Sequence, residues 1–139
     1  MAVVRLYVHA VWGVKNRYPL LDMPGREKLF THIRENAIQK NIILLAINGH
    51  TDHVHCLFRL KAVQSVAEVV QLIKGESSHW ANHQSLFEKN LTWARSYYAR
   101  SVDEQNLWLV QRYIANQEKH LQAFPDICSY LDSLAKKSD

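Results

Sequence analysis

The residues of this sequence with the clearest capacity for chemistry are His53 and His55. They alternate with Val54, Cys56 and Phe58, a pattern typical of a β-strand with one buried face. Side chains two residues apart on a strand point to the same face, so we expect the two imidazoles side by side. Such a pair forms half of a metal site. The alternative is two polar residues on an open sheet face.

A later segment, predicted to be helical over residues 103–121, supplies two more polar groups. Tyr113 and Gln117 are four residues apart, so they lie one turn apart on the same helical face. An adjacent apolar stripe would dock this helix and consists of Leu107, Val110 and Ile114. Taken alone, Tyr113 also fits a half-buried core tyrosine, and Gln117 fits a solvated polar residue.

Length and composition indicate an ordinary globular protein. The chain has 139 residues, 47% of them hydrophobic and 22% charged, so we expect one domain over residues 1–139. The net charge of +4 permits a polyanionic partner but does not require one. Cys56 and Cys128 form no CxxC motif, which favours a reduced, cytoplasmic setting. The sequence shows neither a signal-peptide pattern nor an apolar run long enough for a membrane span.

The elements that must position these residues follow from periodicity and turn signals. Asn48-Gly49 predicts a hairpin turn between the second and third strands, and Ser65 with Glu68 forms a capping box before the second helix. Gly75 inside that helix suggests a close backbone approach. The predicted strands cover residues 3–14, 42–47, 53–60 and 92–102, and the predicted helices cover residues 25–40, 65–82, 103–121 and 127–136.

The order β-α-β-β-α-β predicts a ferredoxin-like α+β fold. Its antiparallel sheet would carry helices on one face and leave the other face open to a partner or ligand. The tyrosine-bearing helix and a short tail helix follow this unit. The two histidines would lie on the open face, because Val54 and Cys56 occupy the buried one.

Together these motifs resemble the single-tyrosine HUH transposases of the insertion-sequence 200/605 class. The resemblance covers nearly the whole chain and rests on ordered points rather than on one motif. Those points are Trp12 and Lys15, Asp52-His53-Val54-His55, Lys74-Gly75 with Ser77-Ser78 and Trp80, Trp93, Ser96-Tyr97 and Tyr113-Ile114-Ala115-Asn116-Gln117.

The resemblance implies a role for each site residue. His53 and His55 match the paired histidine ligands, Gln117 matches the third protein ligand, and Tyr113 matches the nucleophile. The implied metal is Mg²⁺ or Mn²⁺, although imidazole also binds Zn²⁺ well. The implied reaction is cleavage and rejoining of single-stranded DNA through a 5′-phosphotyrosine, which leaves a free 3′-OH and needs no nucleotide cofactor.

The resemblance also implies partners. These are single-stranded DNA with hairpin ends, and a second copy of the chain in a homodimer whose tyrosine helices complete the partner's site. The candidate DNA contacts are Lys15, Arg17, Lys74, Arg95, Arg100 and Arg112.

Two features depart from the family pattern. The connection before the tyrosine helix, residues 101–105, contains no glycine, and Glu76 stands where a basic residue is expected. His50 is a candidate extra ligand or proton carrier.

Two other functions remain open. One is a domesticated relative that binds single-stranded or hairpin DNA of palindromic repeats without transposition. The other is a metal-dependent hydrolase that makes no tyrosine intermediate.

Overall fold

A computed structural model describes residues 2–117 of the chain. This part contains four strands and three α-helices, with single 3₁₀ turns at Lys15–Arg17 and Glu104–Asn106. In chain order, the elements are β1 (Leu6–Gly13), α1 (Gly25–Gln39), β2 (Ile43–Gly49), β3 (His53–Leu60), α2 (Val66–His83), β4 (Tyr98–Val102) and α3 (Leu107–Ala115). This order confirms the predicted β-α-β-β-α-β unit followed by a helix.

The four strands form one antiparallel sheet in the order β2-β3-β1-β4. The predicted ferredoxin-like α+β fold is therefore confirmed. The two central strands pair in a register that places His9 opposite Leu57 and Val11 opposite His55. Because directly opposed residues share a face, the odd-numbered residues of β1 and β3 form one continuous surface.

The opposite surface of these strands belongs to the main hydrophobic core, together with α1 and α2. Apolar strand residues such as Trp12, Val54 and Phe58 are fully buried there, beside Leu29 of α1 and Val70 of α2. Alternation in the strands and the four-residue repeat in the helices direct these side chains to one interior.

Cys56 lies in this main core, as predicted, and burial raises the pKa of its thiol to about 12. Within residues 2–117, no helix has both the length and the apolar character needed to cross a bilayer.

The face expected to be open is covered in part by the chain's own α3. Ile114 of α3 is fully buried against Leu57 of β3, and Val110 packs beside them. At the end of the helix, the Asn48 side-chain amide donates a hydrogen bond of 3.1 Å to the Ala115 carbonyl oxygen. The expectation of an open face is thus wrong for the part that α3 occupies, because the apolar stripe of α3 docks there.

Several element boundaries differ from those predicted. Gly49 is the last residue of β2 and pairs with Val54, so the turn consists of residues 50–52 rather than Asn48-Gly49. The His50 amide closes this turn by donating to the His53 carbonyl oxygen at 3.0 Å. The fourth strand begins at Tyr98 instead of residue 92. The Ser65 cap is confirmed, since its hydroxyl oxygen accepts from the Glu68 amide at 3.1 Å.

The third helix is shorter than predicted at its start and also at its end, since residues 116 and 117, including Gln117, lie in a turn. A 3₁₀ turn, Glu104–Asn106, precedes α3, and the side chain of Asp103 makes no capping hydrogen bond there. α3 itself ends at Ala115, although Asn116 still donates its amide to the Arg112 carbonyl oxygen at 3.1 Å. Residues 118–121 of the predicted helix and the predicted tail helix, residues 127–136, lie outside the described part of the chain.

Gly75 has no close neighbour, contrary to the predicted close approach: a Cβ added there meets nothing within 4 Å. Because glycine in an exposed helix costs about 1 kcal/mol relative to alanine, we expect Gly75→Ala to raise the free energy of unfolding by about that amount. Gly49 is the matched contrast, since its Cβ would overlap the His53 carbonyl oxygen. Gly49→Ala should lower the free energy of unfolding by about 2 kcal/mol. Urea denaturation measures both, and equal effects would contradict this packing.

Candidate active site

The odd-numbered face of the sheet and the end of α3 bring four predicted site residues into one cluster. The ring centroids of His53 and His55 lie 5.1 Å apart on β3. Tyr113 of α3 packs edge-on against His55, with ring centroids 5.6 Å apart. Gln117, two residues beyond the end of α3, places its Oε1 3.0 Å from His53 Nε2. His53, His55 and Gln117 are fully buried, and Tyr113 is 7% exposed.

His53 is held by a carboxylate on the side of its ring opposite Gln117. Its Nδ1 lies 2.7 Å from Asp52 Oδ1, while Asp52 Oδ2 forms an ion pair of 2.9 Å with Arg17. Burial alone would raise the pKa of Asp52. The hydrogen bond and charge of His53, followed by those of Arg17, outweigh the effect of burial and hold the pKa of Asp52 below its usual value. An ionised carboxylate accepts only, so His53 Nδ1 donates the proton.

The contact between His53 Nε2 and Gln117 Oε1 is informative because an amide oxygen only accepts hydrogen bonds. With Nδ1 already donating to Asp52, a neutral His53 would direct a lone pair at this oxygen across 3.0 Å. Rotation of the amide, so that its Nε2 donates to His53, removes that conflict, and so does a cation between the two atoms. A metal ion bound to both His53 Nε2 and Gln117 Oε1 would be such a cation.

The ring of His55, like that of His53, is held through its Nδ1 atom, but by another histidine instead of a carboxylate. Its Nδ1 lies 2.9 Å from Nε2 of His9, a fully buried residue of β1. Burial first, and then the neighbouring His53 and His9, lower the pKa of His55 well below its usual value. Two buried nitrogens of the cluster, His55 Nε2 and Gln117 Nε2, make no hydrogen bond of ordinary length to the described residues, although the Gln117 side chain lies close enough to His55 to oppose part of the fall in its pKa.

These atoms fit a divalent metal ion. His53 Nε2, His55 Nε2 and Gln117 Oε1 are two nitrogens and one oxygen, and we call them the donor triad. Within residues 2–117, no group of three His, Cys, Asp or Glu side chains is arranged to hold a metal, so the amide oxygen is needed to complete a set. Three donors leave positions for water or phosphate oxygens, as Mg²⁺ and Mn²⁺ require. Engagement of both Nδ1 atoms is the usual arrangement of histidine ligands.

His9 was not among the residues predicted to form the site. A lone histidine in an apolar strand resembles a core residue. The residues next to His9 in the sequence do not indicate that it contacts His55. One signal was present: alternation puts His9 on the strand face that carries Tyr7 and Val11, away from the main core. That face also contacts Tyr113, whose ring centroid lies 6.1 Å from that of His9 in an edge-on arrangement.

The predicted DNA contacts divide into two groups. Lys15, Arg95, Arg100 and Arg112 are exposed. Arg17 is engaged by Asp52, and Lys74 Nζ donates to the Ala94 carbonyl oxygen at 2.6 Å. Arg100 lies directly opposite His9 in the β1–β4 pairing, so it shares the face that carries the donor triad.

His50 and Glu76, which were also singled out from the sequence, make contacts outside the donor triad. His50 sits in the turn before β3, with Nδ1 3.2 Å from the Thr51 hydroxyl oxygen. Glu76, found where a basic residue was expected, lies 2.8 Å from His32 Nε2 between α2 and α1. The ring of His32 in turn stacks on Trp80 with centroids 4.0 Å apart. Glu76 therefore joins the two helices that cover the other side of the sheet.

Comparison with known proteins identifies the family. The family model described as "Transposase IS200 like" matches residues 2–117. The chain belongs to the IS200-like transposase family. Among curated relatives of this transposase is the ISDra2 transposase TnpA of Deinococcus radiodurans, which is 30% identical over 121 residues. That match covers 83% of this chain and 86% of the relative.

Solved structures share the fold of this transposase. A crystal structure from Deinococcus radiodurans R1, provisionally assigned as a transposase, has a TM-score of 0.66 and 25% identity, and the match covers 84% of this chain and 93% of that one. A REP-associated tyrosine transposase, solved bound to a REP hairpin, has a TM-score of 0.62 and 16% identity. That match covers 100% of this chain and 89% of the other.

The buried His9 predicts how stability depends on pH. Burial, and then the charge of Arg100, lower its pKa from 6.5 to about 4. Between these values the unfolded chain binds the proton more readily than the folded chain does. The contribution of neutral His9 is therefore fully present above pH 6.5 and is lost as the pH falls toward 4. At about 1.4 kcal/mol per pKa unit, this loss is about 3 kcal/mol.

We expect His9→Gln to lose less stability than the wild type across this pH range, because the amide does not titrate. Urea denaturation at a series of pH values measures the difference. His79→Gln is the matched control, since His79 is exposed on α2 and its replacement should leave the wild-type dependence intact. Parallel wild-type and His9→Gln curves would show that His9 is not the group responsible.

Proposed function

We propose that this transposase cleaves and rejoins single-stranded DNA through Tyr113 with the help of a divalent metal ion, Mg²⁺ or Mn²⁺. The observation that carries the proposal is the convergence of Tyr113, His53, His55 and Gln117 in one buried cluster. The family membership supplies the substrate class, DNA. A phenol beside a site for a cation suits nucleophilic attack on a phosphodiester.

In the proposed reaction, the hydroxyl oxygen of Tyr113 forms a bond to phosphorus while the bond from phosphorus to the 3′-oxygen breaks. The phenol loses a proton and the leaving 3′-oxygen gains one. The products are a 5′-phosphotyrosine and a free 3′-OH, and attack by another 3′-OH reverses the step. The edge-on packing of Tyr113 against His9 and His55 fixes the direction of the phenol before DNA binds.

The donor triad is proposed to hold the metal ion. When bound, a divalent ion would polarise the scissile phosphate and neutralise its developing negative charge. The protein's part is to present His53 Nε2, His55 Nε2 and Gln117 Oε1 together, which Asp52 and α3 support. A phenol with an unperturbed pKa of about 10 is a weak nucleophile at neutral pH, so this electrostatic help matters.

The nucleophile is tested by covalent capture. Incubation with single-stranded oligonucleotides from the DNA flanking the gene, plus Mg²⁺ or Mn²⁺, should give a protein–DNA adduct visible on denaturing gels. Tyr113→Phe should abolish the adduct, because it removes only the attacking oxygen. Tyr98→Phe is the matched control, since Tyr98 shares the sheet face but pairs with Val11 at the edge. An adduct retained in Tyr113→Phe would exclude Tyr113 as the nucleophile.

Exposed basic residues beside the cluster are proposed to bind the DNA backbone. Arg100 has the best placement, because it is exposed and lies opposite His9 on the face of the donor triad. The REP-associated transposase that shares the fold was solved with a hairpin, which supports hairpin ends as the partner here. We propose Lys15, Arg95 and Arg112 as further contacts, since all three are exposed.

Arg100→Ala should weaken single-stranded DNA binding and lower the slope of log affinity against log salt by about one, because one phosphate contact is lost. Fluorescence anisotropy over a range of salt concentrations measures both quantities. Lys28→Ala is the control, because Lys28 is exposed on α1, on the opposite side of the sheet. Equal slopes for wild type and Arg100→Ala would remove Arg100 from the interface.

A homodimer is part of the proposal; because Tyr113 lies beside His55 of its own chain, composite sites would require the two copies of α3 to exchange places. Two large apolar side chains of α3 support the homodimer: Trp108 is 56% exposed and Leu109 is 49% exposed. They lie on the helix that carries Tyr113, so a partner that covers them would contact the helix that positions the candidate nucleophile.

A domesticated DNA-binding protein is the second candidate. The fold shared with a REP-associated transposase is the observation that favours it. The DNA around the gene separates the two: several copies flanked by short hairpins indicate a mobile element, whereas a single copy near scattered palindromic repeats indicates domestication.

A further inference from the structure

A buried histidine outside the donor triad supports the candidate ligand His55. His9 is fully buried near the middle of β1, and its Nε2 lies 2.9 Å from His55 Nδ1. The two rings are diagonal neighbours across the β1–β3 pair, since His9 is opposite Leu57 and His55 is opposite Val11. Burying an imidazole nitrogen inside a sheet is unfavourable unless it is paired, so this hydrogen bond offsets the cost of burying His9 Nε2 and His55 Nδ1.

The hydrogen bond has only two forms when both rings are neutral. Either His55 Nδ1 donates to His9 Nε2, or His9 Nε2 donates to His55 Nδ1. A ligand nitrogen must offer a lone pair, so a His55 that binds metal through Nε2 carries its proton on Nδ1. His9 then accepts at Nε2, as the Asp52 carboxylate accepts from Nδ1 of His53.

We propose that His9 is a positioning residue that holds His55 as the Nδ1–H tautomer, with Nε2 directed into the donor triad. This inference rests on the proposed metal-binding role of His55. The ring of His9 also packs edge-on against Tyr113, with centroids 6.1 Å apart, so one side chain orients both a candidate ligand and the candidate nucleophile. His53 and His55 thus use different acceptors for the same purpose, a carboxylate and an imidazole.

Two substitutions separate the hydrogen bond from the volume of the ring. His9→Gln places an amide oxygen near the position of Nε2 and keeps an acceptor for His55. His9→Phe fills a similar space without an acceptor. Nitrogen-15 NMR of the imidazoles in the metal-free protein reads the His55 tautomer directly, with the His55 signals assigned by their loss in His55→Asn. Calorimetric titration with Mn²⁺ measures metal affinity, and urea denaturation measures folding.

The wild type should show His55 as the Nδ1–H tautomer. His9→Phe should lose this preference and bind Mn²⁺ about tenfold or more weakly, whereas His9→Gln should remain within about threefold of the wild type, as expected for a residue that supports a ligand. A merely structural role for His9 would change the free energy of unfolding in both variants and would not distinguish them by tautomer.

Two results would overturn the inference: a wild-type His55 that carries its proton on Nε2, or Mn²⁺ affinity that is unchanged in a folded His9→Phe. If His9→Phe does not fold, the wild-type tautomer and the affinity of His9→Gln decide the question. A wild type that binds no Mn²⁺ would refute the proposed metal centre. The tautomers of the metal-free wild type and His9→Phe would then still decide whether His9 orients His55.

Discussion

The packing of α3 on the histidine face of the sheet is the contact on which the candidate site depends. Tyr113 and Gln117 reach His53 and His55 only because Ile114 between them is buried against β3. Hydrogen bonds at the two ends of the α3 segment add to this apolar contact. Asn48 holds the Ala115 carbonyl oxygen, and the Tyr7 hydroxyl donates to Glu104 Oε2 at 3.1 Å. Loss of this packing would separate Tyr113, the candidate nucleophile, from the donor triad.

The support of the two histidines shows how a site can be ordered before its ligands bind. Asp52 holds His53 and is itself paired with Arg17, while His9 holds His55 from the neighbouring strand. Rings fixed in this way lose little further freedom when a ligand arrives, so more of the interaction energy is retained as affinity. The free energy of burying three imidazoles is the corresponding cost to stability, and the low pKa of His9 reflects it.

The sequence allowed the fold to be predicted because alternation and helical periodicity are local properties. Placement of His53 beside His55 followed from the two-residue period. Gln117 does reach the cluster, but from the turn after α3, which ends at Ala115, and not from the helical face that the periodicity predicted. His9 could not be assigned to the cluster, since its contact with His55 depends on the register between β1 and β3. The role of Arg17 was equally inaccessible, because its ion pair with Asp52 depends on how the loop after β1 folds back.

The two-residue alternation of β3 has a consequence for folding as well as for chemistry. If β3 paired with its neighbours one residue out of register, His53 and His55 would turn toward the apolar interior under α1 and α2, while Val54 and Cys56 would turn outward. Two imidazoles without partners in that interior would make the slipped pairing unfavourable. The two histidines proposed to bind metal thus also disfavour incorrect strand pairing. Selection that retains them for catalysis would therefore also preserve the register of the sheet.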